Sequence, residues 1–255
     1  ISERLLGRKI SAGEVSRVSK QLVDAVEQWR TRDLSEEKVK YLFIDRINFK
    51  MRVTGSVEKV SVLVVIGVRE DGRRLVLCVQ AGAKESASTW RELFKDLKGR
   101  GLRSELVMLG VMGGLPALEE VFREEFENAE VQRCTVRVTK NVLAKVPKKL
   151  KQDVASDLRS IFYAPSLEKA KELFQAFRGR WEREIPSAVK CLANSIDSCL
   201  TFFKYPPEKW ISLRTTNIIE PLNKEFKRRT NVMEIVAGEK ACYNFLASSE
   251  FTQNT

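Results

Sequence analysis

Histidine is absent from this sequence of 255 residues. Catalytic sites built on a histidine base, such as Ser-His-Asp and Cys-His arrangements, are therefore excluded, as are zinc sites with histidine ligands. The five cysteines include no Cys-x-x-Cys pair, and this pattern predicts reduced thiols in a cytoplasmic protein. No run of roughly eighteen apolar residues is present, so we expect neither a membrane span nor a secretory signal.

The ionisable residues are biased toward basic side chains. Lysine and arginine number 45 and aspartate and glutamate 34, which gives a formal charge of +11 and an isoelectric point near 9.5. A chain of this charge attracts polyanions, of which nucleic acid is the most abundant in a cell. Composition alone is equally compatible with a basic protein that is merely soluble. The sequence begins at Ile1 rather than at methionine, so we expect part of the protein to lie upstream.

The first half of the chain has the pattern of a helix followed by a sheet. Apolar residues recur at helical spacing within residues 1–38, and Ser11 is a suitable N-cap. From about residue 40 the pattern becomes β-rich with intervening turn signals, which predicts a three-stranded antiparallel meander. Two further strands are predicted at 105–112 and 130–136, each preceded by a helix.

Beyond residue 140 the pattern is almost wholly helical, with prolines between the helices. The order βββαβαβα, with an all-helical insertion before the last helix, is that of a ribonuclease-H-like α/β fold with a mixed sheet. Sheets of this kind place ligands at the carboxyl ends of central strands. The predicted divisions are an amino-terminal segment, the first part of the core, the helical insertion and the helices that complete the core: 1–38, 39–139, 140–210 and 211–255.

Asp45 lies in the middle of the apolar first strand, in YLFIDRINFKMRV. Burying a carboxylate is costly unless the group is paired or coordinates a metal. One interpretation is an acid at a strand edge that pairs with a nearby arginine such as Arg46. The other is a metal ligand, and this segment alone leaves both open.

Glu220 ends the segment LRTTNIIE and precedes PLNKEFKRRT. Thr215, Thr216 or Asn217 could cap a helix whose first turns hold Glu220 and whose later turns are basic. Such a helix suits contact with DNA phosphates beside a metal site. A solvated amphipathic helix without any site explains the same pattern.

Eight segments carry the most specific pattern: YLFIDRINFKMR, VLVVIGVREDGRRLVL, KESASTWRELFKDLKGRGL, GGLPALEEVF, EVQRCTVRVTKNVLAKVPKKLK, SIFYAP, WISLRTTNIIE and NKEFKRRT. Taken together and in this order, they resemble the Mutator-type transposases of bacterial insertion sequences. The resemblance extends from about Gly7 to about Phe245. Within it, GRKISAGEVSRVSKQL resembles the last part of the family's helix-turn-helix DNA-binding region, so residues 1–38 are interpreted as its remnant with a linker helix.

The resemblance implies a DNA transposase, which cuts and joins transposon-end DNA by metal-dependent phosphoryl transfer. Such enzymes hold two Mg²⁺ or Mn²⁺ ions with three carboxylates, because hard cations prefer oxygen ligands and a shared carboxylate bridges the ions. In the matching segments the first acid is Asp45 and the third is Glu220, so both are expected to be catalytic and metal-binding. The implied partners are double-stranded DNA, as transposon end and target, and further copies of the chain in an active homo-oligomer.

The second acid of the family pattern is missing. The family's Asp-Gly-Leu-Pro-Gly-Leu stretch reads GGLPAL here, so Gly113 stands at the position of the acid. The family's Arg-Cys-x-x-His pattern ends in Arg137, the residue after the first acid is Arg46, and Pro221 directly follows the last acid. Losing even a residue that supports a metal ligand costs roughly 10–100-fold. We therefore expect weakened metal binding and impaired catalysis.

Basic and amide side chains near these segments are predicted to give salt-dependent, sequence-tolerant DNA affinity. They are Arg137, Lys140, Asn141, Lys148, Lys149, Lys151, Arg214, Lys224, Lys227, Arg228 and Arg229. Arg137 is further expected either to repel Mg²⁺ or to pair with Asp45 or Glu220 in place of the metal. Two alternatives stay open: a non-catalytic DNA-binding protein, such as a repressor-like transposase remnant, and a folded chain without function.

Overall fold

A computed structural model describes residues 11–53, 56–81, 86–222 and 224. Its first helix, α1 (Ala12–Arg30), begins after Ser11, whose hydroxyl accepts a hydrogen bond from the N–H of Glu14. The Glu14 carboxylate accepts in turn from the N–H of Ser11. This reciprocal capping box confirms the predicted N-cap. The predicted helix-turn-helix remnant lies partly outside the described residues, as does most of the predicted 211–255 segment.

The described chain is a mixed α/β structure built on a five-stranded sheet with the order β3-β2-β1-β4-β5. The strands are β1 (Val39–Val53), β2 (Ser56–Arg69), β3 (Arg74–Ala81), β4 (Leu109–Met112) and β5 (Glu130–Arg133). β2 pairs antiparallel with both β1 and β3, which confirms the predicted meander. β4 runs parallel to β1 and to β5. Each parallel strand is reached through a helical crossover, because parallel neighbours cannot be joined by a tight turn.

Two of the predicted strands are shorter than the sequence indicated. The segment predicted at 105–112 begins with a 3-10 turn (Ser104–Leu106), and only β4 pairs with the sheet. The segment predicted at 130–136 stops being a strand at Arg133, because helix α4 (Thr135–Leu143) begins two residues later. Thr135 and Val136 are β-branched and therefore favour strands locally. In the fold they nevertheless form the start of α4, because tertiary context outweighs this local preference.

Helices cover both faces of the sheet. The others are α2 (Ala87–Gly99), α3 (Pro116–Glu125), α5 (Lys151–Phe162), α6 (Leu167–Trp181), α7 (Pro186–Ala193), α8 (Ile196–Cys199) and α9 (Trp210–Leu213). Short 3-10 turns lie at Lys148–Leu150, Thr201–Lys204, Pro207–Lys209 and Asn217–Ile219. The regular structure from residue 140 to 210 is helical throughout, as predicted. The limits of the four divisions stay predictions.

The side chains of β1 alternate between two apolar cores. Leu42 and Ile44 join the core beneath α2 and α3, whereas Tyr41 and Phe43 join the core beneath α4 to α8. Asp45 continues the second series and therefore lies on the face covered by α4. The sheet thus places the Asp45 carboxylate at the point where β1 and β4 stop pairing.

Gly110 determines how closely α3 approaches β4. A Cβ atom at this position would lie 2.4 Å from the Phe122 ring of α3. Because only a residue without a side chain leaves room for that ring, the helix packs directly on the strand. The start of α3 is thereby held beside the carboxyl end of β4.

Candidate active site

Asp45 and Gly113 lie side by side at the edge of the sheet. The last parallel pair between β1 and β4 joins Ile44 to Met112. Asp45 follows Ile44 within β1, where it still pairs with Val64 of β2, and Gly113 directly follows the end of β4. Both residues line a pocket of about 270 Å³. The residues of that pocket that bear on its chemistry are Asp45, Arg46, Gly113, Gly114, Arg137 and Lys140. The structure therefore brings the first predicted acid next to the position of the missing one.

The carboxylate of Asp45 is paired with an arginine from α4. Its Oδ1 accepts hydrogen bonds from Arg137 Nη2 and, at 2.6 Å, from the backbone N–H of Arg46. Its Oδ2 accepts from the Thr216 hydroxyl at 3.3 Å. The Asp45 side chain is only 8% exposed. The interpretation of a paired acid thus fits the geometry, with Arg137 as the partner and Arg46 contributing its backbone.

Helix α4 presents its polar face to the pocket. Arg137, Lys140 and Asn141 follow the i, i+3, i+4 spacing that places side chains on one helical face, and all three line the pocket. Val138 and Val142 lie on another face of the helix and are buried in the core. Burial lowers the pKa of Arg137, but the hydrogen bond and charge of Asp45 outweigh it and hold that pKa above its ordinary value. The guanidinium therefore stays charged.

Two of the four departures from the family pattern, Gly113 and Arg137, are in contact. A Cβ atom on Gly113 would lie 2.9 Å from Arg137 Cδ, in the middle of the arginine side chain. Real Cβ atoms do not approach this closely, so any side chain at position 113 requires Arg137 to move. Gly113 and Arg137 are thus sterically complementary, and an aspartate at 113 would disturb the ion pair that Arg137 makes with Asp45.

A second arginine–carboxylate pair lies beside Gly114 and was not predicted from the sequence. Glu119 of α3 is 3% exposed and accepts from Arg133 at 2.6 and 2.8 Å. Arg133 also donates to the Ser195 hydroxyl at 3.1 Å. Glu119 therefore has a partner of its own and does not take the place of the missing acid. No local pattern in the sequence connects the two residues, which lie 14 positions apart on different elements.

The segment that precedes Glu220 runs beside Asp45. The backbone N–H and hydroxyl of Thr135 donate to the carbonyl oxygen of Arg214 at 3.0 and 3.1 Å. Two residues later, Thr216 makes its hydrogen bond to Asp45. Because 3-10 backbone rises about 2 Å per residue, Glu220 begins within about 8 Å of Thr216 along the chain.

The side chain of Glu220 lies at the surface. It is 58% exposed, and its carboxylate is 3.7 Å from the ammonium of Lys224. Of the three predicted caps, Thr215 accepts a hydrogen bond from the N–H of Asn217 at 3.3 Å, whereas Thr216 bonds to Asp45. Glu220 is not among the residues that line the pocket, and its role as a metal ligand stays a prediction.

The predicted DNA contacts fall into different environments. Lys148, Lys149 and Lys151 are exposed around the turn before α5. Lys227, Arg228 and Arg229 lie outside the described residues. Their roles in DNA binding stay predictions.

Arg214 is buried rather than exposed. Its guanidinium lies 3.6 Å from the centre of the Tyr163 ring and donates to the Phe162 carbonyl at 3.3 Å. Desolvation lowers the pKa of this arginine. In the described conformation Arg214 is therefore covered by Tyr163 and supports the segment that leads to Thr216.

The acids and cysteines of the described residues form no group of three that could hold a metal ion. Within the same part of the chain, no helix has the length and apolar character needed to cross a membrane.

The matching family model is "Transposase, Mutator family", and it covers residues 1–250. The chain belongs to the Mutator family of transposases. This confirms the resemblance that the eight quoted segments indicated.

Several curated relatives are transposases that are named for insertion sequences. The transposase for insertion sequence element ISRM5 of Rhizobium meliloti (strain 1021) is 35% identical over 244 residues, which are 95% of this chain and 60% of the relative. The transposase for IS6120 of Mycolicibacterium smegmatis is 34% identical over 89% of this chain and 69% of its own length. The transposase for IS406 of Burkholderia multivorans is 31% identical over 97% of this chain and 64% of its own length. This Mutator-family chain thus spans 60–69% of the length of these three relatives.

Proposed function

We propose that this Mutator-family chain is the core of a DNA transposase that binds double-stranded DNA and whose metal-dependent chemistry is impaired. The sheet order β3-β2-β1-β4-β5, with two antiparallel pairs followed by two parallel pairs, supports a ribonuclease-H-like core. The membership of the family supports transposon ends and target DNA as substrates. Fold alone does not identify a function, so we infer the function from the residues of the site.

The observation that carries the proposal is the ion pair between Asp45 and Arg137 beside Gly113. A pair of divalent ions needs several anionic oxygens with free lone pairs around it. Here the Asp45 carboxylate accepts from three donors, and Gly113 contributes no ligand. The described residues at this edge therefore do not fit a pair of Mg²⁺ or Mn²⁺ ions. We infer that at most one ion binds, and weakly.

The same observation favours a second candidate, a DNA-binding protein without catalysis. The formal charge of +11 and the exposed lysines before α5 support affinity for a polyanion. Such a protein would occupy DNA as a repressor does, or join assemblies of active transposase. We propose that the chain forms a homo-oligomer whether it is an enzyme or a DNA-binding protein. Sedimentation with and without transposon-end DNA tests this oligomeric state.

Metal titration separates the enzyme from the binding protein. We expect the native chain to bind Mn²⁺ at most weakly, as measured by calorimetry or by the electron paramagnetic resonance of the free ion. The double variant Gly113→Asp/Arg137→His should bind Mn²⁺ at least about tenfold more tightly, because it restores one anionic ligand and removes a fixed cation. The single variant Gly113→Asp is the control, since Arg137 still competes there for both carboxylates.

Strand cleavage provides the second arm of this test. The native chain should cut no transposon-end oligonucleotide in Mg²⁺ or Mn²⁺. The double variant should cut this oligonucleotide, because it regains the second acid and loses the fixed cation. Cleavage by the native chain in Mg²⁺ that disappears in Asp45→Ala would contradict the proposed impairment.

A further inference from the structure

The pocket beside Gly113 carries an excess of positive charge. Among its ionisable lining residues, Arg46, Arg137 and Lys140 are basic, and Asp45 alone is acidic. A site for divalent cations needs the opposite balance, because the number and charge of oxygen ligands determine affinity for hard cations. The charge of this pocket suits an anion.

The single carboxylate of the pocket is hydrogen-bonded on both oxygens. Arg137 and the backbone of Arg46 donate to Oδ1, and Thr216 donates to Oδ2. Asp45 therefore neutralises Arg137 in part but does not extend to Lys140. None of the ion pairs between described residues involves Lys140, although its side chain is exposed at the pocket.

One wall of the pocket is a row of hydrogen-bond donors. Arg137, Lys140 and Asn141 share a face of α4, and their side chains offer five, three and two N–H groups respectively. The hydrogen bond to Asp45 accounts for one donor nitrogen of the guanidinium. Guanidinium and ammonium groups are the usual partners of phosphate oxygens. The row therefore has both the charge and the hydrogen-bonding capacity to bind a tetrahedral oxyanion.

The opposite wall adds partial positive charge. α3 begins at Pro116, and Leu115 before it provides no side-chain cap. Leu115 and Leu118 both line the pocket, so the amino-terminal turn of this ten-residue helix opens onto it. The N–H groups and the dipole of a helix start favour anions. This wall supports the donor row of α4 and does not define the site by itself.

The volume of the pocket limits the size of its ligand. Pockets for drug-sized ligands measure about 300–1,000 Å³, and this one measures about 270 Å³. A phosphate group fits within this space.

We propose that Arg137, Lys140 and Asn141 bind a phosphate group of nucleic acid directly, with no divalent ion between protein and phosphate. The inference rests on the proposed DNA-binding function and states what the site binds where a pair of metal ions does not fit. Side-chain cations take the place at the phosphate that metal ions occupy in the family's chemistry.

The test compares a lysine that lines the pocket with a lysine that lies outside it. Lys140→Gln removes a charge from the pocket, and Lys145→Gln removes the same charge five residues later, outside it. DNA affinity is measured by fluorescence anisotropy at low salt in EDTA. We expect Lys140→Gln to weaken binding about tenfold, since a charge-assisted hydrogen bond contributes about that factor. Lys145→Gln should change affinity less than about threefold.

Three probes distinguish the sources of the phosphate group. They are a duplex with 5′-phosphates, the same duplex without them, and inorganic phosphate as a competitor. Tighter binding of the phosphorylated duplex that depends on Lys140 identifies a terminal phosphate. Equal binding of both duplexes identifies an internal phosphodiester. Competition by inorganic phosphate in the native chain, but not in Lys140→Gln, shows that the phosphate group alone is sufficient.

Two results would overturn the inference. One is equal affinity of Lys140→Gln and Lys145→Gln for all three probes. The other is binding that disappears in EDTA and returns with Mg²⁺, because it would show that a metal ion connects protein and phosphate. In either case salt-dependent DNA binding by the native chain would leave the proposed function intact. If the native chain bound no DNA, the proposed function would fail, while protection of the native chain against thermal unfolding by inorganic phosphate, lost in Lys140→Gln, would still support the pocket.

Discussion

Two arginine–carboxylate pairs lie beside the adjacent residues Gly113 and Gly114, and they differ in what surrounds them. Arg133 and Glu119 have side chains that are 18% and 4% exposed, with two hydrogen bonds between them. Arg137 and Asp45 are 37% and 8% exposed, and one donor nitrogen of the arginine contacts the carboxylate. The first pair connects β5 to α3 and, through Ser195, to the loop after α7. The second opens onto the pocket.

This difference in exposure distinguishes an ion pair that stabilises the fold from an ion pair that lines the pocket. A closed, bidentate pair fixes elements relative to one another, and removing one partner leaves a buried charge. A half-open pair costs less to break, and its arginine keeps donors for another anion. The comparison therefore predicts a structural role for Glu119 and a ligand-binding role for Arg137, and four measurements test this distinction.

The largest effect is expected at the closed pair. Glu119→Gln keeps the shape of the side chain but leaves the Arg133 guanidinium without a counter-charge, which should lower the free energy of unfolding by about 3–5 kcal/mol. Urea denaturation measures this loss. Glu120→Gln, on the exposed side of the same helix, is the matched control and should stay within about 0.5 kcal/mol of the native chain. Equal losses in both variants would refute the structural role of Glu119.

The half-open pair should contribute less to stability. Arg137→Gln is expected to lower the free energy of unfolding by about 1.5 kcal/mol, since a hydrogen bond to a charged group contributes about that much and solvent screens this one in part. Lys145→Gln provides the control for loss of one charge. A loss as large as that of Glu119→Gln would remove the distinction between the two pairs.

The two glycines should respond differently to the loss of Arg137. Gly113→Ala places a Cβ atom against the arginine side chain, so its cost should fall by about 1 kcal/mol in an Arg137→Ala background. Gly114 has a φ of +88°, so Gly114→Ala should cost about 1–2 kcal/mol from backbone strain in either background. A double-mutant cycle of unfolding free energies measures both. Coupling at Gly114 and none at Gly113 would contradict the steric argument.

The smallest effect is expected at the surface pair of Glu220 and Lys224. Their side chains are 58% and 80% exposed, so solvent screening leaves little net attraction. Lys224→Ala should leave the urea midpoint unchanged within experimental error, at low salt and in 1 M salt alike. A clear shift that disappears in high salt would show that Glu220 lies in a less solvated environment than its exposure indicates.

The sequence predicted the order of strands and helices well because hydrophobic periodicity reports directly on which faces are buried. The meander, the N-cap at Ser11 and the helical character after residue 140 all follow from local pattern. The ends of β4 and β5 did not, because pairing with neighbouring strands decides where a strand stops.

The site was only partly predictable for a related reason. The resemblance to the family identified Asp45, Gly113 and Arg137 as positions of the site. Only the packed structure shows that the absence of a side chain at Gly113 leaves room for Arg137. The pair of Glu119 and Arg133 was missed, since residues 14 positions apart on different elements carry no local signal.

The hydrogen bonds to Asp45 also constrain when its site can form. Its side-chain partners are 92 and 171 positions away along the chain, whereas β1 and β2 meet through a short hairpin. Contacts between distant positions are slow to form, because a long loop must close first. During synthesis the strand that bears Asp45 is therefore complete long before Thr216 leaves the ribosome, and until then the carboxylate lacks one of its three donors. The set of hydrogen bonds to Asp45 is therefore complete only after residue 216 has been synthesised, and a chain that ends before Thr216 lacks this donor.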